Sequence, residues 1–234
     1  MEAELPRMLA LREAVIPDQN FVFHSARMRM KHVTPAELVN MNAQTERATA
    51  ELADISPDVV ASACLVAIMA QGPGHHKVAE ETMGRVLVEN GQDASVVSSA
   101  GALVEALRHT GAHRVAVVAP YMKPLTATVI EYLESEGFEV VDSLSLEVSD
   151  NLAVARLNPQ NLLKHWRKLD LTNADALVLS ACVQMPSLPV VAEVEKEAGI
   201  PVITAATATV FSILQSLGLE PVVPDAGSLL AGDR

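Results

Sequence analysis

The chain is 234 residues long, half of them hydrophobic and a fifth charged, and its 29 acidic against 17 basic side chains give a formal charge of -12. That length can bury a sizeable core, as one large domain or two small ones, and the acidic balance leaves no net basic surface to displace phosphate counterions, which argues against a nucleic-acid partner. The opening MEAELPRMLALREAVIP has acids where a secretory signal needs bases, and the longest near-apolar run, VVASACLVAIMA at residues 59–70, falls far short of the roughly 20 residues that span a bilayer. The expectation is a cytoplasmic protein with no membrane partner, whose thiols stay reduced.

Short β-branched runs alternate with helical periodicity, which predicts an α/β protein with parallel strands. NFVFHS (20–25) reads as a strand. TPAELVNMNAQTERATAELAD (34–54) reads as a helix with Thr34 as N-cap, Pro35 at the first helical position and Glu37 completing a capping box. DVVASAC (58–64) is a buried strand, and QGPGHHK (71–77) a glycine-proline loop before another helix. ASVVSSAGALVEALRHTG (94–111) is a short strand, a serine cap and a helix stopped by Gly111.

The pattern then restarts. HRVAVVAPYMKPLTATVIEYLESEG (113–137) is a strand, a loop and a helix entered through Pro124 and closed by Gly137. FEVVDSL (138–144) is a strand, NPQNLLKHWRKLD (158–170) a helix with Asn158 and Pro159 at its start, and DALVLSAC (175–182) a strand. PSLPVVAEVEKEAG (186–199) is a helix, and IPVITAATATVFSILQSLG (200–218) a strand with a final helix.

The two parts rhyme: SACLV matches SACVQ, and SVVSSAGALVEALRHTG matches PVITAATATVFSILQSLG. Internal duplication is the simplest account. It predicts two pseudo-symmetric halves, residues 1–111 and 112–204, each a doubly wound parallel sheet of flavodoxin-like type. The comparison also leaves the first half without a counterpart to the strand and Pro-Tyr loop at RVAVVAPY. The chain begins inside what the repeat makes the first helix, so a strand and loop of about a dozen residues are expected to be absent.

Ligands of open parallel sheets bind beyond the carboxyl ends of the strands. Cys64 and Cys182, the only cysteines, both end strands. With the halves related by a pseudo-twofold, the thiols would face each other across one pocket, and the amides of Leu65, Val66, Val183 and Gln184 would point into it. Such amides hold a carboxylate without any arginine and are expected to lower the thiol pKa from its usual value near 8.5. Opposed thiols suit a nucleophile or base on one side and a proton handler on the other. The plain alternative is two buried cysteines acting as small hydrophobes.

Other motifs are weak. No Gly-x-Gly-x-x-Gly follows a strand and no Walker-type loop is present. His75 and His76 sit in the loop reading without further ligands at metal spacing, so no metal is expected. Arg27, Arg29 and Lys31 read as a solvated strand end. Tyr121 is evenly balanced between packing and a pocket role, and Asn151 reads, from composition alone, as a turn residue.

The words YMKPLT, SDNLAVAR, ACLVAIM, LSACVQMPSLP and PVVPDAGSLL resemble the maleate cis-trans isomerase family, within the aspartate/glutamate racemase superfamily. The resemblance runs from Phe21 to the C-terminus. It implies a cofactor-free enzyme that converts maleate, a small dicarboxylate, to fumarate, as in bacterial nicotinic acid degradation, and a homodimer. It assigns Cys64 as the nucleophile that forms a succinyl-thioether, Cys182 as the partner that handles the proton, and Tyr121 and Asn151 as carboxylate contacts beside the Leu65, Val66 and Val183 amides. It also implies that residues 205–234 cross back onto the first half. One departure is that the family begins with a strand ending in Pro-Ser-Ser-Asn, whose asparagine contacts substrate, and this sequence lacks it. Three alternatives stand beside the isomerase. A two-cysteine racemase is similar, but its Cys-Asn-Thr words are here Cys-Leu-Val and Cys-Val-Gln. A related decarboxylase keeps one of the two cysteines, and the last alternative is a truncated, catalytically silent homologue.

Overall fold

The structure, a computed structural model, describes residues 2–232. Its strands all run parallel to their neighbours and form two sheets. β1 (Val59–Ser62) pairs with β2 (Ser95–Ser98), while β3 (Arg114–Ala119), β4 (Glu139–Ser145), β5 (Ala176–Ser180) and β6 (Val202–Thr204) form a sheet of order β4-β3-β5-β6. β5, with the sequence ALVLS, is buried at every position, as a parallel strand covered on both faces must be. β1 is buried at one position of four, less than the buried strand expected there.

The helices are α1 (Glu4–Glu13), α2 (Pro35–Asn42), α3 (Thr45–Ala53), α4 (Leu65–Met69), α5 (His75–Glu89), α6 (Ser99–His109), α7 (Lys123–Ser135), α8 (Asn151–Ala155), α9 (Leu162–His165), α10 (Val191–Ala198) and α11 (Ala205–Ser216). The duplication is visible in the register. Ser62 of β1 lies opposite Ser98 of β2, and Ser180 of β5 lies opposite Thr204 of β6. Ser98 and Thr204 then cap the following helices in the same way: each hydroxyl accepts the backbone N–H three residues on, at 3.0 Å from Gly101 and from Thr207. The two helices so capped, α6 and α11, pack on each other, as equivalent elements do across a twofold. α11 also packs on α1 and β2, and residues 205–214 are all buried.

Four local readings need correction. Residues 20–25 form no strand: no neighbouring strand offers a ladder, and Val22 and Phe23 are exposed. Side chains take the place of that ladder. Glu13 accepts from the Phe21 N–H, and the Gln44 amide both accepts from the Arg29 N–H and donates to its carbonyl. The 34–54 helix breaks into α2 and α3 at Ala43–Gln44. Thr34 caps α2 as expected, but Glu37 turns outward to accept from the backbone N–H groups of Lys31 and His32, so the box is half made. The 158–170 helix is α9 flanked by two 3-10 turns. His75 and His76 are the first turn of α5 rather than loop, and His76 is buried against Tyr132.

Candidate active site

β1 ends at Ser62 and β5 at Ser180, so each cysteine stands two residues beyond the carboxyl end of its strand, at equivalent places in the two halves. Cys64 is the N-cap of α4, and Leu65 and Val66 are its first two residues. N–H groups at those positions have no acceptor within the helix. Cys182 leads into a tight turn in which the Met185 N–H donates to the Cys182 carbonyl at 3.2 Å, and the Ser180 hydroxyl donates to that carbonyl at 3.0 Å. Val183 is buried within this turn.

Tyr121 follows β3 and joins the two sites. It is 5% exposed, its hydroxyl donates to the Ala181 carbonyl at 3.1 Å, and it also engages the Cys182 thiol. Burial holds its pKa well above the ordinary tyrosine value, and charge on either thiol adds to that. Cys64 and Cys182 lie close enough for charge on Cys182 to oppose ionisation of Cys64. The structure thus brings Cys64, Cys182 and Tyr121 into one site.

Asn151 begins α8, a helical turn that composition did not reveal. Asp150 caps it, accepting the Ala153 N–H at 2.7 Å. The strand-like pairing of Leu146, Glu147 and Val148 with residues 119–121 carries this segment beside Tyr121. The Gln184 side-chain amide donates to the Asn151 carbonyl and ties α8 to the Cys182 turn. Gln184 sits in the same short word as Cys182, so this tie lay in plain view but needed the fold to be seen.

The expected lowering of the Cys64 pKa is overturned. Burial pushes the thiol up to about 12, and the Ala67 backbone amide, which favours the thiolate, offsets only part of that. No hydrogen bond of ordinary cap geometry joins the thiol to α4, so desolvation dominates. A cavity of about 320 Å³ is lined by residues that include Val97, Glu105, Ser212 and Gln215, and neither thiol nor Tyr121 borders it. Among the described residues, no cluster of three or more His, Cys, Asp or Glu side chains is placed to hold a metal ion, and no helix is long and apolar enough to cross a membrane.

The sequence profile of the arylmalonate decarboxylase family matches residues 19–230. The maleate isomerase of Geobacillus stearothermophilus is 53% identical over 232 residues, covering 99% of this chain and 92% of that protein. The chain belongs to the maleate isomerase family. Two solved members share its architecture. The maleate isomerase of Pseudomonas putida, as a cysteine-to-alanine variant with maleate, superposes with a TM-score of 0.97 at 48% identity, over 99% of this chain and 92% of that one. The maleate cis-trans isomerase of Nocardia farcinica, as a cysteine-to-serine variant with a covalently bound succinylcysteine intermediate, gives 0.95 at 50% identity over 100% and 94%. The family therefore has two doubly wound α/β halves.

Proposed function

We propose that this chain isomerises maleate to fumarate without a cofactor, through a thioether on Cys64. The observation that supports this reading is the meeting of two thiols from equivalent strand ends at one buried tyrosine, in a chain half identical to proteins named maleate isomerase.

The steps balance as follows. The Cys64 sulfur adds to one alkene carbon of maleate while the Cys182 thiol gives its proton to the other. This forms one C–S and one C–H bond and consumes the π bond. The former double bond is now single and rotates. Cys182, as thiolate, then takes that proton back, the π bond re-forms as the trans isomer and the Cys64 thiolate leaves. A thiolate suits both directions, because it is a strong nucleophile toward carbon and a competent leaving group. The desolvated Cys64 thiol becomes reactive only when its proton is lost, so substrate must reach a pair holding one proton between two sulfurs. The Leu65 and Val66 amides, the Val183 amide, the Tyr121 hydroxyl and the Asn151 side chain bind the two carboxylates, charge-assisted bonds that need no arginine.

The same reading divides the chain into residues 1–111 with 205–234 returning to them, and residues 112–204; the packing of α11 on α6 and α1 supports that division. It also carries a cytoplasmic homodimer.

The test is to incubate purified protein with maleate and follow fumarate by proton NMR, with Cys64→Ala and Cys182→Ala alongside. Fumarate from the wild-type chain, and none from Cys64→Ala, is expected. No fumarate from folded wild-type protein refutes the isomerase, and full rate in Cys64→Ala refutes the nucleophile. A wild-type rate in Cys182→Ala removes Cys182 as proton handler.

A further inference from the structure

Among the described residues, Glu4 and Arg12 are, taken as whole residues, the most deeply buried Asp, Glu, Lys or Arg, at 8% and 1% exposure, and both belong to α1. Arg12 donates to Gln19 and to the carbonyls of Glu220 and Val222, far from the thiols in sequence. Glu4 does something different. Its Oε1 accepts the backbone N–H groups of Ser187 (2.6 Å) and Leu188 (2.7 Å), and its Oε2 accepts the Ser187 hydroxyl at 3.1 Å. Ser187 and Leu188 close the turn that begins at Cys182 and lead into a 3-10 turn at Leu188–Val190.

The Cys182 turn is thus held from both sides. Upstream, the Ala181 N–H joins the sheet at the Val118 carbonyl, 2.9 Å away. Downstream, the Ser187 carbonyl accepts the Val190 N–H at 3.1 Å within the 3-10 turn, while its own N–H and hydroxyl are held by the carboxylate of Glu4, which reaches them from the other end of the chain. Three hydrogen bonds to one ionised group are strong and directional. They are also buried, so removing the acceptor leaves two backbone donors without a partner.

We propose that Glu4 is a positioning residue for the isomerisation: its carboxylate clamps the downstream end of the Cys182 turn and so fixes the Cys182 thiol and the Val183 amide toward the substrate. The proposal rests on the assignment of Cys182 as proton handler. It makes α1, an element of the first half, part of the support of the second half's thiol. Catalytic geometry is sensitive at the ångström scale, so a loosened turn lowers kcat even when the fold survives.

The experiment compares Glu4→Ala, Glu4→Gln and Met8→Ala. Met8 is fully buried on the same helix and has no polar role, so its truncation destabilises α1 without touching the turn. Melting temperature, kcat and KM for maleate are measured for each, with hydrogen exchange at the Ser187 and Leu188 amides. Glu4→Ala is expected to lose about tenfold or more in kcat and protection at those two amides. Met8→Ala keeps kcat within about twofold at a comparable loss of melting temperature. Glu4→Gln is expected to recover most of the rate, because one amide oxygen still accepts both backbone N–H groups while its NH₂ donates to the Ser187 hydroxyl. Should Glu4→Ala not fold, Glu4→Asp replaces it: the charge stays, but the shorter arm cannot span both amides. Equal kcat loss in the Glu4 and Met8 variants at equal thermal cost overturns the proposal, as does unchanged exchange at Ser187 and Leu188. Cys182→Ala in the same series separates the two ideas, since a wild-type rate there removes the proton-handling assignment, whereas an inactive Cys182→Ala beside a fully active Glu4→Ala removes the clamp alone.

Discussion

Replacing Tyr132 by Phe isolates one hydroxyl that holds the start of α5. The N-cap of that helix is Gly74, which has no side chain to offer. Its cap comes instead from α7: the Tyr132 hydroxyl accepts the His76 backbone N–H at 3.1 Å and lies within hydrogen-bonding distance of Nδ1 on the same histidine. Burial pushes the Tyr132 pKa up to about 12, so the hydroxyl keeps its proton throughout the physiological range. Glu136 sits 3.8 Å from that nitrogen, too far to replace the hydroxyl, and its carboxylate is already paired with Arg108 at 2.8 Å. Phe keeps the edge-to-face contact with the His76 ring, at 5.9 Å between centroids, so the loss is polar alone. Two buried groups lose their partner at about 1–3 kcal/mol each, and with some relaxation the net cost is about 3 kcal/mol. In a chain of this size each kcal/mol lowers the melting temperature by roughly 2–4 °C, which predicts a fall of about 6–12 °C for Tyr132→Phe. Differential scanning calorimetry measures it. A fall smaller than about 2 °C would show that water or a neighbour satisfies His76 and that Tyr132 is no cap.

Four further outcomes follow from local geometry. A Cβ at Gly101 would meet Glu80 Oε1 at 2.5 Å, Ser98 Oγ at 3.0 Å and His76 Cδ2 at 3.1 Å. Gly101→Ala therefore dislodges Glu80 from Ser98 and costs about 1–3 kcal/mol in urea unfolding; a gain in stability, as helix propensity alone predicts, contradicts this. The Cys64 thiol, with its pKa raised by burial, is expected to alkylate with a neutral reagent at a rate that climbs past pH 10, and a plateau near pH 8 refutes the burial argument. The unfolded thiol ionises near its ordinary value of 9.0 while the folded one holds its proton, so stability falls as pH rises from there to about 12, and Cys64→Ala removes this thiol's share of a slope to which the raised Tyr121 and Tyr132 also contribute. Asp175 is held below the usual carboxylate range by the Arg114 guanidinium first, then by the Arg114 and His113 amides. Its contribution is present above the ordinary Asp range and lost as pH falls through it, so Asp175→Asn should flatten the acid limb of a melting-temperature profile; an unchanged limb counts against it.

What the sequence made legible was local or repeated. Thr34, Ser98, Pro124 and Gly111 mark helix ends by chemistry that acts within a few residues, and all four do so in the structure. The matching words around Cys64 and Cys182 placed both thiols at strand ends because duplication repeats register as well as sequence. Most of the failures share a cause, a deciding partner far along the chain; for Glu37 the partner is the segment just before the helix. NFVFHS has the residues of a strand but lacks a neighbour, and the Glu37 carboxylate found the Lys31 and His32 amides closer to hand than the cap it was expected to complete. His76 looked solvated because nothing nearby in sequence announces Tyr132. The direction of the Cys64 shift was missed for the same reason, since orphan amides are visible in a sequence and desolvation is not. The Gln184 tie to Asn151 and the Glu4 clamp on Ser187 needed the fold.

The burial of α11 has a consequence for the order in which the molecule is made. Its residues 205–214 complete the core beside α6, α1 and β2, yet they leave the ribosome after all three of those elements. The amino-terminal half must wait, unfinished, until the carboxyl-terminal half has passed through and delivered its last helix. Vectorial synthesis therefore cannot complete the halves one after the other, and the chain is expected to close, and to open, as one cooperative unit. The two cysteines report on this directly, one from each half: both should become reactive to a thiol reagent at the same urea concentration. Exposure of Cys64 well before Cys182 would show that the halves come apart separately.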